Sequence, residues 1–265
     1  MEAISKDGTR IAYDKSGSGP LLILVDGALC SRAFGPMPKL ARLLTSDFTV
    51  ITYDRRGRNE SSDTQPYAVE REIEDLEALI SANGGSAFVT GFSSGAALSL
   101  AAAAHGLNIT KLALYEPPFM VDQGQQPPAD SLQQLQTMIA ENRRGDAVKF
   151  FLKDMVGVPG IVVFIMKLTP VWSKLKRAAH ALPYDVAVLG DFSLPEKKAS
   201  SVNTQTLISG GGKSPATMQN AVKKLSEIMP NGDLKILKGE THNVAGKVIA
   251  PVLIEFFDAK CSSNQ

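Results

Sequence analysis

Short runs of uninterrupted apolar residues alternate with segments of helical hydrophobic period along most of the chain. The runs at residues 21–25, 48–53, 86–90 and 109–115 lack polar alternation, which marks strands covered on both faces of a parallel sheet. Helix-period segments at 37–44, 69–82 and 96–105 precede the last three of them. Strands separated by helices predict right-handed crossovers and a doubly wound, mostly parallel α/β sheet. At the front, residues 2–5 and 10–13 read as a hairpin turned at Asp7-Gly8.

The alternation lapses from Pro117 to about Val202, where helical pieces are punctuated by Pro127-Pro128, Pro159-Gly160, Pro170, Pro183 and Pro195. It resumes with strands at 204–209 and 234–237 and helices at 216–229 and 246–259. The pattern predicts one interrupted domain: residues 1–116 and 203–265 form the α/β core, and 117–202 form a helical cap or lid.

Composition narrows the function. With 265 residues, 44% of them hydrophobic, the chain can bury a full core without disulfides or metals. Lys and Arg total 28 against 27 Asp and Glu, and a net charge of +1 removes the overall electrostatic drive toward nucleic acids or anionic membranes. Cys30 and Cys261 form neither a disulfide framework nor a metal-ligand spacing, and residues 1–8 lack the apolar core of a secretory leader, so a cytoplasmic location is expected. The greasy stretch 156–172 is broken by Pro159, Lys167 and Pro170 and falls short of the roughly 20 apolar residues of a membrane span. No metal or cofactor is expected.

The sharpest chemical signal is Gly91-Phe92-Ser93-Ser94-Gly95, between an apolar strand and a small-residue helix. In that setting G-x-S-x-G marks a nucleophile elbow, in which flanking glycines permit a sharp turn that lifts Ser93 off the sheet; a Gly/Ser-rich helix cap is the plain alternative. A serine hydroxyl needs a base. Of three histidines, His105 ends the elbow helix roughly 15 Å from Ser93 along its axis, and His180 reads as part of a solvated helix face. His242, in a polar loop after the last strand, is the candidate base.

The segment after the penultimate strand, 207–214, holds no carboxylate to orient that base. Glu116 follows the strand at 109–115 and reaches the same sheet edge, so it is the candidate acid; Asp185, Asp191 and an acid-free Ser-His pair are the alternatives. For Glu116, a helix-cap role or a salt bridge at the cap hinge would tolerate Glu116→Gln, whereas a triad acid would not. The oxyanion that forms in acyl transfer needs N–H donors, and the backbone groups of Ser94 and Ala28 are placed to supply them. Gly27 would let the chain turn there, and Asp26 should point away, toward local backbone or an arginine. Cys30 reads as a packing residue.

Taken in order, Val25-Asp26-Gly27-Ala28, the stretch from Asp54-Arg55-Arg56-Gly57-Arg58 through Asn59-Glu60-Ser61, the elbow at Ser93, and His242 resemble the α/β-hydrolase superfamily over nearly the whole chain. That resemblance implies the α/β-hydrolase fold with an inserted helical cap, and a cofactor-free Ser-acid-His hydrolase acting on esters or related acyl compounds. Three positions depart from the family pattern: Asp26 for the usual His, Asn59 for a second Gly, and the missing acid on the usual strand. Asn tolerates left-handed backbone, so the Asn59 loop should survive, and members with the acid after the strand that follows the elbow helix support Glu116.

The apolar cap residues 150–152, 155–156 and 161–166 fit either packing on the sheet edge or a lipophilic acyl pocket, made adaptable by Met138, Met155 and Met166, and equally a homodimer through the cap. Arg55, Arg56 and Arg58 read as a solvated or salt-bridged loop, with carboxylate recognition as the alternative. The expected partner is a small apolar acyl substrate, in a carboxylesterase- or thioesterase-like reaction. An acyltransferase, a perhydrolase and a catalytically weak ligand sensor are the alternatives on the same scaffold.

Overall fold

In the computed structural model, residues 1–121 and 126–258 are described. Ala259, the last residue of the predicted final helix, and Cys261 lie outside them. The first half runs β1 (Glu2–Ile4), β2 (Arg10–Gly17), β3 (Leu21–Val25), α1 (Met37–Leu44), β4 (Thr49–Tyr53), α2 (Val69–Ala82), β5 (Ala87–Phe92), α3 (Ser94–Ala104) and β6 (Ile109–Tyr115). Then come α4 (Ser131–Ala140), α5 (Arg144–Phe150), a π-helical turn (Phe151–Met155), α6 (Gly160–Lys167), α7 (Pro170–Ala178), α8 (Leu182–Leu189) and α9 (Glu196–Ser201). The sheet resumes with β7 (Thr206–Gly211), α10 (Ala216–Ile228), β8 (Gly232–Leu237) and α11 (Gly246–Asp258).

The eight strands lie in the order β1-β2-β4-β3-β5-β6-β7-β8, antiparallel at the first two pairings and parallel through the rest. Apolar runs without alternation are therefore explained: β3, β4 and β6 sit between helix layers, and their side chains are buried on both faces. On one face Met37, Leu40 and Leu44 of α1 meet Ile249, Leu253 and Phe257 of α11. On the other, α2, α3 and α10 supply Leu76, Leu79, Leu98, Val222 and Leu225.

β7 starts two residues later than the apolar run predicts and continues through Gly210 and Gly211. Glycine carries no strand propensity, so only its pairing with β8 reveals the extension. The strands β3, β5, β6, β7 and β8 run parallel, and the loops after them collect at one sheet edge, where the candidate residues were expected.

Between β6 and β7 the elements of the described residues are helices, α4 to α9. α8 packs on α3 and α2, and α9 packs on α3 and α10. The apolar segment 161–166 neither packs as a whole on the sheet nor lines an enclosed pocket as a whole. Val163 is buried, but Ile161, Val162, Phe164 and Ile165 are exposed.

Candidate active site

β5 ends in a tight reversal into α3, and Ser93 sits at its apex with φ 55° and ψ −127°. An L residue is held there only when its surroundings over-determine it. The Ser93 N–H donates to the Tyr115 carbonyl at 3.0 Å, and the Ser93 carbonyl accepts from Ala96 N–H at 2.9 Å. The flanking glycines act differently from the sequence expectation. Neither Gly91 nor Gly95 has positive φ; the serine takes the strained turn itself. A Cβ on Gly95 would strike the carbonyl oxygens of Val25 and Asp26, and one on Gly91 would strike the Gly95 carbonyl. Missing side chains thus let α3 press against β3 and β5.

Glu116 is fully buried at the end of β6, also with positive φ, at 44°. Its Oε1 accepts the Gly211 N–H at 2.6 Å and its Oε2 lies 2.8 Å from His242 Nδ1. Tyr115 and Ser209 are neighbours in the parallel register, so Glu116 lies beside Gly210. A Cβ on Gly210 would come within 3.2 Å of Glu116 Oε1. The two glycines at the end of β7 leave room for a carboxylate that arrives from the next strand.

The His242 loop is fixed at both sides. Tyr115 Oη donates to the Thr241 carbonyl at 2.6 Å, Lys213 N–H donates to the Glu240 carbonyl at 2.8 Å, and Ala245 N–H donates to Glu240 Oε2 at 2.8 Å. The His242 side chain is one-third exposed (33%), and Glu116 is its hydrogen-bond partner. Ser93 Oγ and His242 share no hydrogen bond in this structure, and such contacts commonly close only around a substrate.

Gly27 also differs from its expected role. It has no positive φ; Leu29, at 62°, makes the turn. A Cβ on Gly27 would sit 3.1 Å from Ser93 Cβ, so glycine lets the β3 loop lie against the serine. Among the described residues neither the Ala28 nor the Ser94 backbone N–H meets a protein acceptor. Asp26 turns to local backbone as expected, accepting the Gly27 N–H at 2.9 Å.

The other Asp26 oxygen is buried with no N–H or O–H donor besides the Cys30 thiol, and burial pushes the carboxyl up to about 7. Folded Asp26 therefore holds its proton to about pH 7, while an unfolded aspartate releases it near pH 4. Stability contributed by this group falls as pH rises between those values. Asp26→Asn is expected to melt close to the parent at about pH 4 and at least roughly 5 °C above it at about pH 8, read by thermal unfolding at both. Burial, and then the Asp26 charge, push the Cys30 thiol up, which suits a packing residue.

Of the two readings of Arg55, Arg56 and Arg58 the structure shows the salt-bridged one, and buried rather than solvated: they are 1%, 0% and 2% exposed. Arg55 grips Glu72 through two bonds of 2.6 and 2.7 Å, and Arg56 grips Asp75 through two of 2.8 and 2.7 Å. One oxygen of Asp185, from α8, accepts from Arg55 Nη1, Arg58 Nη2 and Ser94 Oγ, each at 2.7 Å. Arg58 Nη1 also donates to the Gly27 carbonyl at 2.6 Å. Burial opposes the Asp185 charge, but Arg58, Arg55 and the Ser94 hydroxyl outweigh it and hold the carboxyl below its usual range.

Asp185 thus ties α8 to both loops that carry the candidate oxyanion donors, and it does not orient His242. The sequence suggests Asp185 only as an alternative acid; that it is the lone carboxylate of an apolar helix is the signal for a buried partner, which the structure supplies in Arg55 and Arg58. Asp185→Ala leaves Arg58 buried with carbonyl partners alone, a loss expected at about 3–5 kcal/mol in urea unfolding, smaller when combined with Arg58→Met.

The remaining candidates fall elsewhere. Asp191 is exposed and accepts from Ser193. His105 caps α3. His180, half-buried, bridges the Arg177 and Gly57 carbonyls instead of facing solvent. Asn59 adopts φ 45°, the left-handed backbone expected of it, and its side-chain amide donates to Asp54 at 2.9 Å. Among the described residues no group of three His, Cys, Asp or Glu side chains is placed to hold a metal, and no helix is long and apolar enough to cross a membrane.

A family profile described as "Alpha/beta hydrolase family" matches residues 21–246. The chain belongs to that family. An alpha/beta hydrolase from Sphaerobacter thermophilus DSM 20745 is 51% identical, with a TM-score of 0.91 over 97% of this chain and 100% of that one. The esterase RhEst1 from Rhodococcus sp. ECU1013 shares the fold at 18% identity, with a TM-score of 0.70 over 98% of each chain. An uncharacterized hydrolase, YraK of Bacillus subtilis, is 35% identical over 97 residues, which span 35% of each chain. As in other α/β hydrolases, the fold is an eight-stranded, mostly parallel sheet with flanking helices.

Proposed function

We propose that this α/β hydrolase is a cofactor-free serine hydrolase that cleaves a carboxylic ester or related acyl compound through an acyl-enzyme on Ser93. The observation that carries this reading is the 2.8 Å contact between buried Glu116 and His242 Nδ1 at the sheet edge that also holds the strained Ser93. Glu116 fixes one tautomer of His242 and leaves Nε2 to take the Ser93 proton. Ser93 Oγ attacks the carbonyl carbon, the oxygen gains charge, and the N–H groups of Ala28 and Ser94 receive it. Collapse expels the alcohol, which takes the proton from His242, and water then repeats the sequence to release the acid. The inserted helices would serve as the lid.

The test is covalent labelling with a fluorophosphonate followed by peptide mapping, with turnover of p-nitrophenyl esters measured in parallel. The adduct is expected on Ser93 and should inactivate the protein in step with labelling. Esters hydrolysed at full rate by fully labelled protein would overturn the reading.

A further inference from the structure

α6 presents its apolar side to solvent. Ile161, Phe164, Ile165 and Leu168 recur at helical spacing along one stripe, and they are 65%, 57%, 55% and 75% exposed. Val163, on the opposite side, is buried. Val156 and Val171, before and after the helix in sequence, are exposed as well. Contiguous apolar surface of this kind marks an interaction site.

Charge identifies the occupant. The near-neutral total conceals an uneven distribution: residues 143–177 hold eight Lys and Arg against Asp146 and Asp154, a local charge of +6 in a chain of +1. Asp146 is engaged by Arg143 and Asp154 by Lys153. Lys167 and Lys174, which flank the stripe, lie over the rings of Trp172 and Phe34, each 5.4 Å from the centroid, and pair with no carboxylate among the described residues. Beside them Arg144, Lys176 and Arg177 line an open depression with Trp172 and with Asp146, which pairs with Arg143; the three cations have no carboxylate partner among the described residues. Two copies facing each other through this surface would oppose like charges. An interface that is apolar below and negative at its surface satisfies both halves of the patch.

We infer that the α6–α7 face docks on anionic lipid surfaces, with the stripe entering the headgroup boundary and the flanking cations meeting the phosphates. Phe34 belongs to the loop after β3, so this face adjoins the edge that holds Ser93. Docking does not depend on chemistry at Ser93 and is tested without it.

Co-sedimentation of the full chain with phosphatidylglycerol vesicles and with phosphatidylcholine vesicles reads the inference. Binding to the anionic vesicles is expected to exceed that to the neutral ones by at least about tenfold, and to fall by a similar factor when NaCl rises from about 50 to about 500 mM. The pair Phe164→Ser with Leu168→Ser, and separately Lys167→Glu with Lys174→Glu, should each remove most of the binding while leaving the melting temperature unchanged. Equal binding to both vesicle types, no binding to either, or undiminished binding by folded variants would overturn it. So would a dimer in analytical ultracentrifugation that the serine pair converts to monomer, since a second copy would then cover the stripe.

Discussion

Ser93→Ala is expected to lower kcat for p-nitrophenyl ester hydrolysis by about 10⁵- to 10⁶-fold, with far-UV circular dichroism unchanged. On the proposed mechanism the loss is that large because the variant has nothing to carry the acyl group, even with the candidate N–H donors of Ala28 and Ser94 still in place. Alanine keeps the Cβ and therefore the strain at φ 55°, so its melting temperature should stay near the parent's. Ser93→Gly separates the two effects. It is equally inactive, yet glycine accepts that backbone freely, and stability should rise by about 1 kcal/mol. Substantial turnover by Ser93→Ala would show that another group attacks the ester.

Glu116→Gln should lower kcat by about 10⁴-fold with little change in KM. The amide oxygen can still accept the Gly211 N–H, so the fold is retained, but an amide nitrogen facing His242 Nδ1 selects the wrong tautomer of the base. A wider test exploits the space beside Gly210. In a Glu116→Ala background, Gly210→Asp places a carboxylate on β7 where a Cβ would stand 3.2 Å from the present Glu116 Oε1, and part of the lost rate should return. Kinetics that Glu116→Gln leaves intact would assign the carboxylate to holding the strand ends together and nothing more.

Much of the architecture was legible because burial on both faces leaves an apolar run with no alternation, as in 21–25 and 109–115. The contact of Glu116 with His242 was legible by elimination, since residues 207–214 offer no carboxylate and each strand end in a parallel sheet reaches the same edge. Other features depended on three-dimensional neighbours. Gly27, Gly91 and Gly95 looked like turn formers, but it is the backbone or side chain facing each of them that excludes a Cβ. Arg55 and Arg58 read as a solvated or salt-bridged loop; that the bridge is buried depends on Asp185, about 130 residues away, whose charge makes burial tolerable. The stripe on α6 has the same hydrophobicity as a core helix, and sequence period alone does not say which side faces water.

Glu116 is also the last residue before the chain departs into the inserted helices, one peptide bond from Pro117. Any tilt of those helices is felt at the root where the carboxylate is anchored, and through it at the imidazole. A carboxylate on β7 would be insulated from such motion by a strand and its ladder. On the proposed reading, closure of the inserted helices over a ligand and the aim of His242 as proton acceptor would share one mechanical pivot, so the protein would be primed only with its roof shut.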